Sequence, residues 1–533
     1  MAWKPVIFIV LALLAGCSKA PESPVVSTPT PVATPVAAPA SPQTIAWVRP
    51  EGADIDPIFA KARAENTPVY LYWGAVWCPP CNQIKATVFN RQDFMERSKL
   101  FVPVYLDGDT PGAQKLGARF KVRGYPTMIL FRPDGTELTR LPGEVDAAKY
   151  VEMLGWGMAS GASAKESLDA ALNGKGATLA ADAWRMLAYY AWDQDEAQLV
   201  PKKELAATLH RLAKACPPTQ TEASTRLALK AMLASAQDKA GLPDRAASLA
   251  RVQALLADTA MARENFDVLV NYSTLLFPAL APQGSPEQAR LLALFNTSLD
   301  RFATDATLSR SDRLSAVSTK VALAKLDAPK TEKPKLDAAL MAQAREAAAT
   351  ADKATTNTYE RQAVIPSAAD LLSEAGLLDE SDAMLKAELP KAVSPYYHML
   401  GLAGNAKLRG DKTASLDWAE KAWAASSGSA TRLQWGISYV SRLLELSPAD
   451  TPRIEKAAAG VLQELEPTPE TFYERNRRGL ERMGQRLTAW NGKGQHTATL
   501  NKLAKQLDAV CAKLPPGDEA RTACSGVFKP KAG

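Results

Sequence analysis

Five consecutive residues, Trp77-Cys78-Pro79-Pro80-Cys81, carry the clearest chemistry in the 533-residue chain. Two thiols held two residues apart can alternate between a dithiol and a disulfide. The stretch that follows, Asn82 to Phe89, reads as a helix that begins at the cysteine pair. A thiol at a helix N-terminus faces the positive end of the peptide dipoles and unpaired N–H groups, so its thiolate is favoured. Cys78 is therefore the expected nucleophile. Cys81, one turn further on the same face, is placed to attack a mixed disulfide at Cys78 and release the product. Two plainer readings compete, a zinc site and an inert structural disulfide. Zinc usually takes four ligands, from two such pairs or from one pair and two histidines. The chain has no second C-x-x-C and only His210, His398 and His496, all distant, so no metal is expected. Thiol exchange needs no cofactor either.

These residues need a frame. Val69 to Trp73, Phe101 to Leu106 and Thr127 to Phe131 are short apolar runs suited to buried strands, and helix-like segments separate them in βαβ proportions. Gly124-Tyr125-Pro126-Thr127 begins 43 residues beyond Cys81, and Pro133-Asp134-Gly135-Thr136 reads as a hairpin turn leading to Gly143. Taken in order, these elements resemble the thioredoxin superfamily over about 100 residues. The segment is most similar to the periplasmic C-terminal domain of transmembrane disulfide reductases and to related small periplasmic thioredoxins.

The resemblance implies an α/β thioredoxin-like domain in which Pro126 is cis, sits against the cysteine pair and exposes the preceding backbone to an extended peptide. It names Trp77, Tyr125 and Pro126 as substrate-binding residues; the alternative for Pro126 is a proline that merely starts an edge strand. The sequence departs from the family twice. Thioredoxins commonly bury an acid six residues before the first cysteine, where this chain has Tyr72. Asp107, at the end of a strand, is the candidate substitute for proton transfer, although an Asp there also serves to start a turn. Strong oxidants of the family often carry His between the cysteines; Pro79-Pro80 favours a reducing or isomerising direction.

Upstream, Met1 to Gly16 has one cation, Lys4, an apolar stretch and small residues at its end, the layout of a secretory signal peptide. Leu14-Ala15-Gly16-Cys17 resembles the lipobox of bacterial lipoproteins, which implies cleavage before Cys17 and its lipidation; an ordinary signal peptide or short anchor is the alternative. By the same resemblance Ser18, rather than an Asp, points to the outer membrane of the bacterial periplasm. The seven prolines of residues 18–43 make a spacer reaching at most about 80 Å.

From Ser163 onward Ala, Leu, Lys and Glu dominate, and Trp184, Leu187, Ala188 and Ala191 have helical spacing. Thr471 and Glu474 suggest a capping box. Gly376 and Gly410, 34 residues apart between helix pairs, resemble a tetratricopeptide repeat; an α-solenoid is expected, with an irregular bundle as the alternative. Tyr396, Tyr397, Trp418, Trp423 and Trp435 could form a peptide groove or simply a core. The Arg475, Arg477, Arg478 and Arg482 run reads as a solvated face paired with Glu474 and Glu481. Cys511 and Cys524 flank a turn and should form a structural disulfide in an oxidising compartment, which leaves Cys216 odd.

The expected organisation is a signal peptide at 1–16, a lipidated cysteine and linker at 17–44, a thioredoxin-like domain at 45–160 and an all-α repeat-like domain at 161–533. With 47% apolar and 23% charged residues, a polytopic membrane protein and a wholly disordered chain are excluded. The net charge of +6 is interleaved with acids and gives no nucleic-acid surface. The functional expectation is a lipid-anchored periplasmic thiol-disulfide oxidoreductase acting on protein thiols and disulfides. An upstream periplasmic or inner-membrane donor would re-reduce it, and the helical domain would position partners. The competing reading is an interaction scaffold with a vestigial redox module. Because the key residues all fall within 45–160, that segment alone is expected to retain generic disulfide reduction.

Overall fold

The computed structural model describes residues 44–50, 52, 54–122, 124–143, 145–192, 199–239, 241–328 and 336–529. The expected signal peptide, Cys17 and the proline-rich stretch lie outside the described residues. From Thr44 onward the chain forms one compact unit.

Its sheet has four strands, β1 Val69–Gly74, β2 Val102–Asp107, β3 Thr127–Phe131 and β4 Glu137–Leu141, in the order β2-β1-β3-β4. β1 runs parallel to β2 and antiparallel to β3, and β3 and β4 form a hairpin. Gly135, at φ 90°, makes the hairpin turn that Asp134-Gly135 signals. β1 is buried along its whole length, which explains why it reads as an unbroken apolar run rather than an alternating one. Alternation still sorts its side chains. Val69, Leu71 and Trp73 pack with Phe59, Phe120 and Phe131 on one face. Tyr70 and Tyr72 face the other way, toward Phe89, Phe94 and Phe101.

Helix α1, Asp56–Ala64, covers the first face through Phe59 and Ala62. Helix α2, Pro79–Thr87, covers the second through Cys81 and Ile84. Pro79 and Pro80 stand in the first turn, where a missing N–H costs nothing.

The remainder is helical. The Thr358–Glu374 and Leu378–Glu388 helices meet at Gly376, and the Pro395–Arg409 and Lys412–Ala425 helices at Gly410. Both glycines take positive φ, 81° and 84°, which lets each chain reverse directly after a helix end. Trp184, Leu187 and Ala188 are buried as their spacing requires, while Ala191 falls beyond the Ala181–Tyr189 helix. The Thr471–Glu474 capping box does not form. Pro469–Phe472 is a 3₁₀ turn, and the next helix starts at Glu474 after an extended Tyr473 that makes no side-chain cap. Cys511 and Cys524 are bonded to each other, and Cys216 is free and buried.

On the second sheet face the core runs on past residue 160. The core holding Tyr70, Met128 and Leu154 continues into Trp184, Leu187, Leu227 and Trp435. Charged contacts reinforce that joint: Lys149 lies 2.7 Å from Glu264 and 3.3 Å from Glu222, and Arg263 lies 2.9 Å from Asp146. No helix among the described residues is long and apolar enough to cross a membrane.

Candidate redox site

β1 delivers the chain to the start of α2, and Cys78 caps that helix. Its Sγ accepts the N–H of Cys81 at 3.2 Å, and the two sulfurs are joined as a disulfide. An N-terminal N–H aimed at this sulfur is what would stabilise a thiolate once the bond is reduced. Asn82 braces the approach by donating to the Val76 carbonyl at 2.8 Å. Cys81 is fully buried and Cys78 is 2% exposed.

The Tyr125–Pro126 bond is cis, and Pro126 is buried. Gly143 places it beside α2: a Cβ there would stand 3.2 Å from Pro126 and 3.6 Å from Ile84. The Tyr125 ring meets Trp77 edge-on at 6.1 Å. Its hydroxyl donates to the Gly108 carbonyl at 3.1 Å and accepts from Gln114 at 2.9 Å. The fold thus gathers Trp77, Cys78, Cys81, Tyr125 and Pro126 into one site.

Six residues before Cys78 the chain differs from an acid-bearing site. Tyr72 is buried against Trp47, Phe89 and Tyr105, its hydroxyl has no partner among the described residues, and burial holds its pKa well above the ordinary value. Asp107 ends β2 and turns the chain by accepting the Asp109 N–H at 3.1 Å. Its negative charge also acts on Tyr72, Tyr105 and half-buried Lys85, whose own pKa is lowered chiefly by burial.

A second carboxylate, Asp109, has the closer connection to the motif. It accepts the indole N–H of Trp77 at 2.8 Å and the hydroxyl of Thr431 at 2.6 Å. Burial raises its pKa, against the opposing effect of these two donors. Nothing in Asp107-Gly108-Asp109 marks which acid takes this role, and Thr431 carries no sequence signal at all.

The helical residues come to the same place. Tyr397 stacks on Trp77 with ring centroids 6.4 Å apart and planes 19° apart, and Trp435 meets it edge-on at 6.2 Å. The guanidinium of Arg475 stands 5.0 Å above both Trp77 and Tyr125. Arg475 therefore leaves the solvated face read from its arginine run, whereas half-buried Arg477 pairs with Glu481 at 3.6 Å. On α2 itself, Gln83 donates to Ser309 at 3.3 Å and to Asp312 at 3.0 Å.

With this geometry in place, residues 55–155 match the thioredoxin-like domain family. Residues 55–155 are a thioredoxin-like domain. This domain is similar to part of the thiol:disulfide interchange protein DsbD of Pseudomonas fluorescens, at 34% identity over 104 residues. It is also similar to DsbD 1 and DsbD 2 of Pseudomonas aeruginosa, at 32% over 106 and 33% over 103 residues. Each match covers 19% of this chain and 18% of the relative. The largely helical region after the thioredoxin-like domain lies outside these matches.

Proposed function

We propose that the protein is a thiol-disulfide oxidoreductase that reduces or isomerises protein disulfides through Cys78 and Cys81. The observation that carries the reading is Cys78 at the cap of α2, its sulfur held by the Cys81 N–H, within a domain similar to thiol:disulfide interchange proteins. The thiolate of Cys78 attacks one sulfur of a substrate disulfide, forming a mixed disulfide and expelling the other sulfur as a thiolate. Cys81 then attacks Cys78, the second substrate sulfur leaves, and two electrons have passed to the substrate. An external dithiol must return them. Trp77, Tyr125 and Pro126 are assigned to substrate contact and Asp107 to proton transfer. Lipidation at Cys17 and a place at the periplasmic face of the outer membrane complete the proposal, supported by the layout of residues 1–17. The helical region, which follows the redox module in the chain from about residue 161 and shares its core, acts in partner choice.

A second reading, an interaction scaffold whose redox module is structural, draws on the burial of Cys78. The two separate in one experiment. In the redox reading, Cys81→Ala accumulates mixed disulfides on Cys78 and Cys78→Ala accumulates none. Trapping by neither variant favours the scaffold, and equal trapping by both overturns the roles assigned to Cys78 and Cys81.

A further inference from the structure

The surroundings of Cys78 are strongly one-sided. On one side, Trp77 and Tyr125 lie beneath Tyr397, Trp435 and Arg475, and Asp109 ties the Trp77 indole to Thr431. Trp77 is left 5% exposed and Cys78 2%. On the other side, Val76 is 41% exposed and Pro80 is open to solvent. A folded protein offering a disulfide needs room along the Trp77–Tyr125 face for its own backbone, and helical residues fill that face. A small disulfide needs far less room, and the nearest exposed edge of the motif is at Val76 and Pro80.

We propose that the helical region is a specificity gate on the dithiol. Tyr397, Trp435 and Arg475 exclude bulky protein disulfides while closed, and the Asp109–Thr431 bond latches them. Small disulfides exchange at Cys78 from the open rim, and protein disulfides exchange only after the gate parts. Parting the gate breaks side-chain contacts only, from helices more than 250 residues away in sequence, with no backbone hydrogen bond joining these residues to the motif among the described contacts, and it exposes Trp435, which belongs to the core shared with Trp184 and Leu187. This inference rests on the thiol-disulfide reading given above.

The test uses the full-length protein, reduced beforehand and freed of reductant, so that the Cys78–Cys81 dithiol is the electron source. Each turnover converts one dithiol to its disulfide and one substrate disulfide to two thiols, with no further reactant. The probes are glutathione disulfide and insulin, compared in wild type, Trp435→Ala and the nearly isosteric Thr431→Val. A gate predicts that the insulin rate rises about tenfold in Trp435→Ala and about threefold in Thr431→Val, while the glutathione rate changes less than about twofold. Insulin rates that stay flat while glutathione still exchanges overturn the gate alone. Rates that rise together for both probes also overturn it, because they report a more reactive thiol rather than a wider opening. No exchange with either probe, in wild type or variant, overturns the redox reading and this inference with it. Should Trp435→Ala fail to fold, Thr431→Val decides on the same criteria.

Discussion

Thr431 and Asp109 are 322 positions apart in sequence, and the hydroxyl of the first donates to the carboxylate of the second at 2.6 Å. The other oxygen of that carboxylate holds the Trp77 indole at 2.8 Å. One side chain therefore ties the residue preceding the redox cysteine to the helical region. Asp109→Leu nearly retains the shape but accepts from neither donor, leaving the Trp77 indole N–H and the Thr431 hydroxyl unsatisfied, and a loss of about 1–3 kcal/mol is expected in urea unfolding. An unchanged midpoint would show that the bridge contributes nothing to stability.

Arg226 and Asp267 form a buried bidentate pair, with Nη1–Oδ1 at 2.9 Å and Nη2–Oδ2 at 2.5 Å, and the guanidinium lies 3.9 Å from the Tyr189 ring centroid. Removing the carboxylate strands a buried cation. Asp267→Ala should cost about 3–5 kcal/mol, whereas replacing both partners with apolar residues of similar volume should cost far less. Equilibrium unfolding of the single and double variants measures both quantities, and equal losses would contradict the assignment.

Asp312, which accepts from Gln83 on α2, has its pKa pushed up to about 6 by burial, from an ordinary 3.8. Between those values the folded protein keeps a proton that the unfolded chain has lost. The contribution to stability is therefore fully present below about pH 4 and is lost as pH rises through about 6, by about 3 kcal/mol in total. Asp312→Asn should abolish that dependence. The check is the difference in unfolding free energy between wild type and variant at pH 4, 5, 6 and 7, which should narrow and then reverse in favour of the variant as pH rises. A constant difference would rule out the shift.

Residues 45–160 made alone should be poorly soluble and less stable than the whole, whatever disulfide reduction they retain. The cut leaves Leu154 without the core it shares with Trp184 and Leu187, and strips the aromatic cover from Trp77. Dye binding and the melting temperature of the fragment, against the full chain, measure this. A monomeric fragment with the stability of the parent would show that the shared core is dispensable.

The redox module was legible in the sequence because its signals are local. A cysteine pair at a strand-to-helix junction, apolar runs of strand length and the Gly-Tyr-Pro-Thr element depend on neighbours in the chain. Gly376 and Gly410 were legible for the same reason, since a positive φ at a helix end has its own residue preference. The cover over Trp77 was not. Tyr397, Trp435 and Arg475 have ordinary helical contexts, and only the tertiary fold turns them from candidate core or solvated face toward the motif. The Thr471–Glu474 pattern failed because Pro469 starts a 3₁₀ turn that moves the helix start to Glu474.

The most direct measurement is the redox equilibrium of Cys78 and Cys81 in glutathione buffers, followed by alkylation and mass analysis of those two thiols. A reducing or isomerising dithiol predicts one reversible two-electron transition at or below about −180 mV, within the span of thioredoxin-like proteins. A transition near about −120 mV would contradict the reducing direction. A pair that stays oxidised across the whole range would mark a structural disulfide and contradict the redox account itself.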